Sequence, residues 1–295
     1  NKQGTPTMGG ILFIVGSIVA TAAGYAVYRM TSSVDVTAIS GNREALRVMS
    51  CVIFCLLFGI IGFIDDFAKV AKKQNEGLTP KQKLALQVVA AILWLAAMYW
   101  LGDRSTTIDL VFVRFDIRWF YYPVMVLVIL YLTNAVNLTD GVDGLCGTVT
   151  LVAMLIFTLI CSRLQMTSYT LFTMALAGGC LGFLVWNLHP AKCFMGDTGS
   201  MFLGAAVASV GLATHQHLVL ILVALVYILE ALSVMIQVTY FKYTKKKYGE
   251  GRRIFKMTPI HHHFEMSGFS EYKIVITFSL FGLIAGAVGL LLVTL

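Results

Sequence analysis

The residues able to do chemistry stand out because the rest of the chain is so apolar. Asp65-Asp66 ends one apolar run, and Asp197 opens another within Phe194-Met-Gly196-Asp197-Thr198-Gly199-Ser200. Paired carboxylates at a helix C-terminus sit at the negative pole of its dipole, so they call for a cation, either Mg2+ or nearby lysines. The plainer reading is two solvated loop acids. Asp197 falls where free N–H groups would face a phosphate and where a carboxylate can hold Mg2+ against it; the plainer reading is an N-cap. Phe194 suits stacking on a base, or anchoring at an interface. Asn134-Ala-Val-Asn137-Leu-Thr-Asp140-Gly141-Val-Asp143-Gly144 joins two apolar runs. Capping and Asp-Gly turn chemistry account for one acid there, not for two amides and two acids together. Amides and carboxylates can read a nucleobase or ribose, and the glycines let backbone approach a ligand. In Pro259-Ile260-His261-His262-His263-Phe264-Glu265, three adjacent imidazoles fan out at about 100° steps on a helix and do not face one metal. Hydrogen-bond donation to phosphate oxygens suits them better.

The elements that must position these groups cross a membrane. Apolar residues make up 58% of the 295-residue chain and charged residues 13%, with a mean hydropathy of +0.81. Soluble domains carry about 25% charged residues. Nine apolar segments approach the roughly 20 residues that a span needs: 8–30, 46–64, 84–101, 119–136, 145–161, 169–188, 198–213, 218–241 and 272–295. The segment 198–213 is short, and 218–241 is long enough to require a tilt or bend. No linker divides them, so residues 1–295 read as one domain. The fold class is an all-α polytopic integral membrane protein.

Lys and Arg set the orientation. With the first segment starting inside, the inside loops hold Lys2, five cations between 69 and 83, Lys192, and eight between 242 and 273. Those fifteen face seven outside: Arg29, Arg43, Arg47, Arg104, Arg114, Arg118 and Arg163. The net charge of +7 therefore reflects membrane orientation, and no basic stretch interleaved with aromatics suggests a nucleic-acid partner. Every polar cluster above, together with Lys2–Gly10, falls on the inside face. Channels and pumps more often carry ionisable groups at mid-bilayer. Here Glu230 is the acid within a span, with Gln237 two turns on; a structural contact that permits a bend competes with a functional role. The six cysteines form no CxxC pair and read as small buried hydrophobes.

These motifs in this order resemble the polyprenyl-phosphate N-acetylhexosamine-1-phosphate transferases, and within them the phospho-N-acetylmuramoyl-pentapeptide-transferase branch. The resemblance rests on Lys2-Gln-Gly-Thr-Pro-Thr-Met-Gly-Gly10, Gly62-Phe-Ile-Asp-Asp66, Asn134 to Leu145, Phe194 to Gly199 and Met257 to Glu265, and covers essentially the whole chain. It implies transfer of phospho-MurNAc-pentapeptide from UDP-MurNAc-pentapeptide to undecaprenyl phosphate. The products would be UMP and the lipid-linked diphosphate sugar of peptidoglycan synthesis. It implies Mg2+, a homodimer, the bacterial cytoplasmic membrane with the site facing the cytoplasm, and sensitivity to nucleoside antibiotics. The family has ten spans, so nine with an inside start imply that its first helix is missing here.

By resemblance, Asp197 is the Mg2+ ligand, and Asp65 and Asp66 handle the lipid phosphate and the metal. Lys2, Thr7, Asn134, Asn137, Asp140, Gly141, Asp143 and Phe194 belong to nucleotide-sugar binding. Lys69 and Lys81 are similar to phosphate-binding lysines, His261 and His262 support the diphosphate, and Gln237 lines the cleft. The competing functions are a sister transferase using UDP-GlcNAc, against which the histidine run argues, and a membrane transporter. A covalent aspartyl-phosphate route through Asp65 or Asp66 competes with direct transfer.

Overall fold

The computed structural model describes residues 5–31, 39–72 and 77–293; Lys2 lies outside them. The helices are α1 (Gly10–Thr31), α2 (Ile39–Lys72), α3 (Pro80–Trp100), α4 (Tyr121–Thr139), α5 (Leu145–Arg163), α6 (Thr167–Asn187), α7 (Gly196–Ala213), α8 (His217–Val223), α9 (Leu225–Tyr248), α10 (Ile260–Glu265) and α11 (Glu271–Leu292). Among the described residues, eight helices are long and apolar enough to cross a membrane: α1 to α6, α9 and α11. The chain is a multi-pass membrane protein.

Nine segments were expected, and α7 accounts for the difference. Its 18 residues open on Gly-Asp-Thr-Gly-Ser, which lowers its hydropathy and leaves it outside the eight. It is enclosed by protein instead of lipid: every residue from Thr198 to Ala213 is buried, against α2 and α4 above all. A helix sheathed by other helices does not need a lipid-facing composition. Close approach comes from small residues. At Gly62 of α2, a β-carbon would strike the backbone of Asp197, so glycine lets the end of α2 lie against the start of α7.

The segment expected at 218–241 breaks at Ala224 (φ −89°, ψ 6°) into α8 and α9, and α9 continues to Tyr248. Gly249, at φ +78°, ends it, a left-handed position that glycine adopts without strain. A small hairpin adds to the all-α expectation: β1 (Thr107–Asp109) pairs antiparallel with β2 (Arg114–Asp116). Thr-Ile-Asp and Arg-Phe-Asp both alternate polar and apolar residues, the period of a strand.

Two caps fix where helices begin near the site. Thr79 and Gln82 form a reciprocal capping box at α3, with Pro80 in the first turn. Ser270 accepts from Lys273 N at the start of α11, where Glu271 also suits the positive dipole end. The six cysteines are free, five of them buried.

Candidate active site

Bonds between distant segments gather four of the five polar clusters directly. Gly9 N and Gly10 N donate to Phe194 O and Met195 O, and Phe194 N donates to Pro6 O. Asp66 Oδ2 accepts from Thr198 N at 2.9 Å and from Thr198 Oγ1 at 2.8 Å. Asn137 Nδ2 donates to Asp197 Oδ1 at 3.0 Å and to Ser200 Oγ at 2.8 Å. The fifth cluster joins through His261, whose ring lies against Gly141. Alternating helix direction makes this possible, because the end of α2, the start of α3, the end of α4 and the start of α7 share one face. The opposite face ties Asp103 to His215 Nε2 at 2.8 Å, and Asp109 N to His217 Nδ1 at 3.2 Å.

At the centre, Asp65, Asp66 and Asp197 each bring a carboxylate oxygen within 4.8 Å of the others. Asp65 and Asp66 are buried, and Asp197 is half-buried. Lys69, one helical turn after Asp65, places Nζ 2.6 Å from Asp65 Oδ2, 3.2 Å from Asp197 Oδ2 and 3.8 Å from Asp66 Oδ1. Lys83 Nζ lies 2.7 Å from Asp197 Oδ2 and 3.9 Å from Asp65 Oδ2. Three carboxylates and two ammonium groups leave this nest one negative charge in excess. Leu78 N donates to Asp65 Oδ1 at 2.8 Å, which brings the chain before α3 over the carboxylate. Lys69, Lys83, Gln87, Asn134 and the acids Asp65 and Asp197 line a cavity of about 710 Å3.

The structure sorts the expected residues. Lys81 is exposed, and the lysine facing the cluster is Lys83, two positions on. Two residues are about 200° of helix, so the capping box at Thr79 decides which lysine points inward. Sequence alone held a Lys-Gln-Lys signal here but not its phase. Thr7 is exposed beside Gly196, whose β-carbon would also crowd Asp66. Asn134 exchanges hydrogen bonds with Gln87 of α3, at 2.8 and 3.3 Å. Asp140 and Phe194 are half-buried at the same face.

Three others turn inward. Asp143 Oδ2 accepts from Ala191 N at 3.0 Å and lies 3.1 Å from His189 Nδ1. His189 also lies 3.3 Å from Glu271, which accepts from Asp143 N. Asp143 therefore ties its loop to the α6–α7 connection and to α11. Gln237 accepts from Ile254 N and Phe255 N and donates to Phe255 O, so it anchors the loop after α9 while also lining a cavity of about 330 Å3. His261 is wholly buried against Glu230, and its neighbour His262 pairs with Glu265. Lys83, His189 and Glu271 were not singled out in the sequence: Lys83 shares its run with Lys81, and the other two lie outside the motifs.

Comparison with known proteins agrees with this arrangement. Residues 48–215 match the glycosyl transferase family 4 model, and residues 2–14 match phospho-N-acetylmuramoyl-pentapeptide-transferase signature 1. A phospho-N-acetylmuramoyl-pentapeptide-transferase of Listeria welshimeri is 38% identical over 294 residues, 99% of this chain and 85% of the relative. Those of Shouchella clausii and Acetivibrio thermocellus are each 42% identical, over 98% and 94% of this chain and 83% and 78% of theirs. The first match spans Asp65, Asp66 and Asp197, the second runs into the strand of chain that docks on Phe194, and the likeness to the relatives extends through the histidine run. The chain belongs to the phospho-N-acetylmuramoyl-pentapeptide-transferase family.

Proposed function

We propose that this chain transfers phospho-MurNAc-pentapeptide from UDP-MurNAc-pentapeptide to undecaprenyl phosphate at the cytoplasmic face of the bacterial inner membrane, releasing UMP and lipid I. The observation that carries this reading is the meeting of Asp65, Asp66 and Asp197 under Lys69 and Lys83. Phosphoryl transfer is mainly positioning and electrostatics, and this nest supplies both signs of charge in a cavity open enough for a diphosphate.

Hard carboxylate oxygens in a close group suit Mg2+. Asp197 would hold it, with Asp65 or Asp66 beside it. Bound there, the ion would offset the negative charge that grows as the diphosphate bond breaks. Lys69 and Lys83, freed from the carboxylates, can donate to phosphate oxygens. In the transfer, an oxygen of the lipid phosphate attacks the sugar-bearing phosphorus. The bond from that phosphorus to the bridging oxygen breaks, and UMP leaves with the electron pair. A phosphomonoester has a second pKa near 6, so at neutral pH the lipid phosphate is already mostly a nucleophile. Asp65 then acts by position and charge, not as a base. Its fixed geometry, held by Leu78 N and Lys69, supports that role. Asn134, Asn137, Asp140, Gly141 and Phe194 supply the nucleotide end of the pocket, with Asp143 bracing it. A single transferase domain over 1–295, a homodimer and nucleoside-antibiotic binding rest on family membership.

The experiment is UMP release by purified protein with undecaprenyl phosphate and Mg2+, comparing UDP-MurNAc-pentapeptide with UDP-GlcNAc. Release with the muramoyl substrate alone is expected. Release with UDP-GlcNAc alone would move the chain to a sister activity.

A further inference from the structure

Glu230 sits on α9, one of the membrane-long helices, and His261 on the short α10 that follows the loop after it. Both are 0% exposed. His261 Nδ1 lies 3.0 Å from Glu230 Oε2, and the backbone N–H of His261 aims at the same oxygen at 3.4 Å. The backbone donor marks that oxygen as an acceptor, and an acceptor facing Nδ1 favours the tautomer with the ring proton there. The other ring nitrogen has a different situation. His261 Nε2 is buried with no hydrogen-bond partner, and it presses on Gly141, where an added β-carbon would overlap it. Glycine at 141 thus leaves room for this nitrogen at the loop that carries Asn137 and Asp140. A buried polar nitrogen without a partner is costly, so the contact that holds the ring in this place has to offset that cost.

We propose that Glu230 is a positioning residue for the transfer reaction. It holds His261 with Nδ1 protonated, and so keeps the ring packed on Gly141, which positions the loop carrying Asn137 and Asp140 for the nucleotide sugar. The pair is a carboxylate–imidazole couple in which one partner orients the other. It rests on the transferase reading above, and it gives the intramembrane acid a task in catalysis instead of in helix bending. The titratable groups facing the ring are Glu230 from α9 and His262 from its own helix at a 4.2 Å ring separation; Asp140 precedes Gly141 in the chain. Nδ1 faces Glu230 Oε2 at 3.0 Å, so Glu230 fixes the ring.

The test has two parts. Wild-type UMP release with the muramoyl substrate first checks the reading on which the inference rests. Glu230→Leu should then lower kcat about 100-fold with KM within about threefold, because orientation matters most in the transition state. Glu230→Gln retains a neutral acceptor and should recover kcat to within about tenfold of wild type. Glu230→Leu/His261→Ala should be no slower than His261→Ala alone. Additive losses, or a normal kcat in folded Glu230→Leu, would overturn the proposal. Should Glu230→Leu fail to fold, the second part decides. In 15N-histidine-labelled wild type, assigned through His261→Ala, the imidazole Nδ1 should carry a proton without substrate present; a bare Nδ1 would overturn the proposal.

Discussion

The same two helices build two cavities of nearly equal size and opposite chemistry. At one end, α3 and α4 contribute Lys83, Gln87 and Asn134 to the ionic cavity of about 710 Å3. At the other end they contribute Leu95, Tyr99, Trp100 and Tyr122, with Trp119 from the turn before α4, to an apolar cavity of about 700 Å3. Volume therefore does not identify the reacting site. What separates the two is the company that α3 and α4 keep. At the first end, α2 and α7 bring in Asp65, Asp66, Lys69 and Asp197. At the second, Trp100 and Trp119 are largely exposed, as aromatic residues are at a membrane–water boundary. One end is built to hold charge, the other to sit among lipid.

The largest expected effect comes from the centre of the ionic cavity. Asp197→Asn should reduce UMP release by about 1,000-fold, the scale on which a preorganised charge contributes to a transition state. The protein should still fold, because the amide oxygen can still accept from Asn137 at this half-buried position. A smaller effect tests which lysine belongs to the cavity. Lys83→Ala should lower kcat/KM about 100-fold, while Lys81→Ala, on the exposed side of α3, should stay within about threefold. Equal losses in the two variants would break the account of how the capping box sets the phase of α3. At the apolar end, the comparison predicts a stability effect without a catalytic one. Leu95→Ala should lower unfolding stability by about 2–3 kcal/mol, read as a lower melting temperature, with kcat per folded molecule within about twofold. Least of all, the Arg114–Asp109 pair of the hairpin, at 2.8 Å with Arg114 exposed, should be worth at most about 1 kcal/mol when Arg114 is replaced by alanine.

The two cavities also show what sequence could reveal. Asp65, Asp66 and Asp197 were legible because carboxylates are expensive beside apolar runs and therefore conspicuous. Their meeting was legible as a shared face, since alternation of spans and the distribution of lysines put the clusters on one side. The phase of α3 was not, because it depends on a capping hydrogen bond between Thr79 and Gln82. Nor was the pairing of Glu230 with His261, which joins residues 31 positions apart across a loop. The low hydropathy of α7 has a related reason. Hydropathy reports what a segment faces only when it faces lipid, and α7 faces α2 and α4. Asp143 was grouped with the pocket residues, and its contacts with His189 and Glu271 were not legible there. Such contacts arise from tertiary packing, and no local pattern encodes them.

The central claim is that the carboxylate nest, and not the equally large apolar cavity, is where transfer occurs. The measurement that tests it most directly is UMP release against Mg2+ concentration after chelation, for wild type, Asp197→Asn and Leu95→Ala side by side. The account predicts saturable recovery in wild type and Leu95→Ala, and none in Asp197→Asn. Full recovery in Asp197→Asn, or its loss in folded Leu95→Ala, would contradict it.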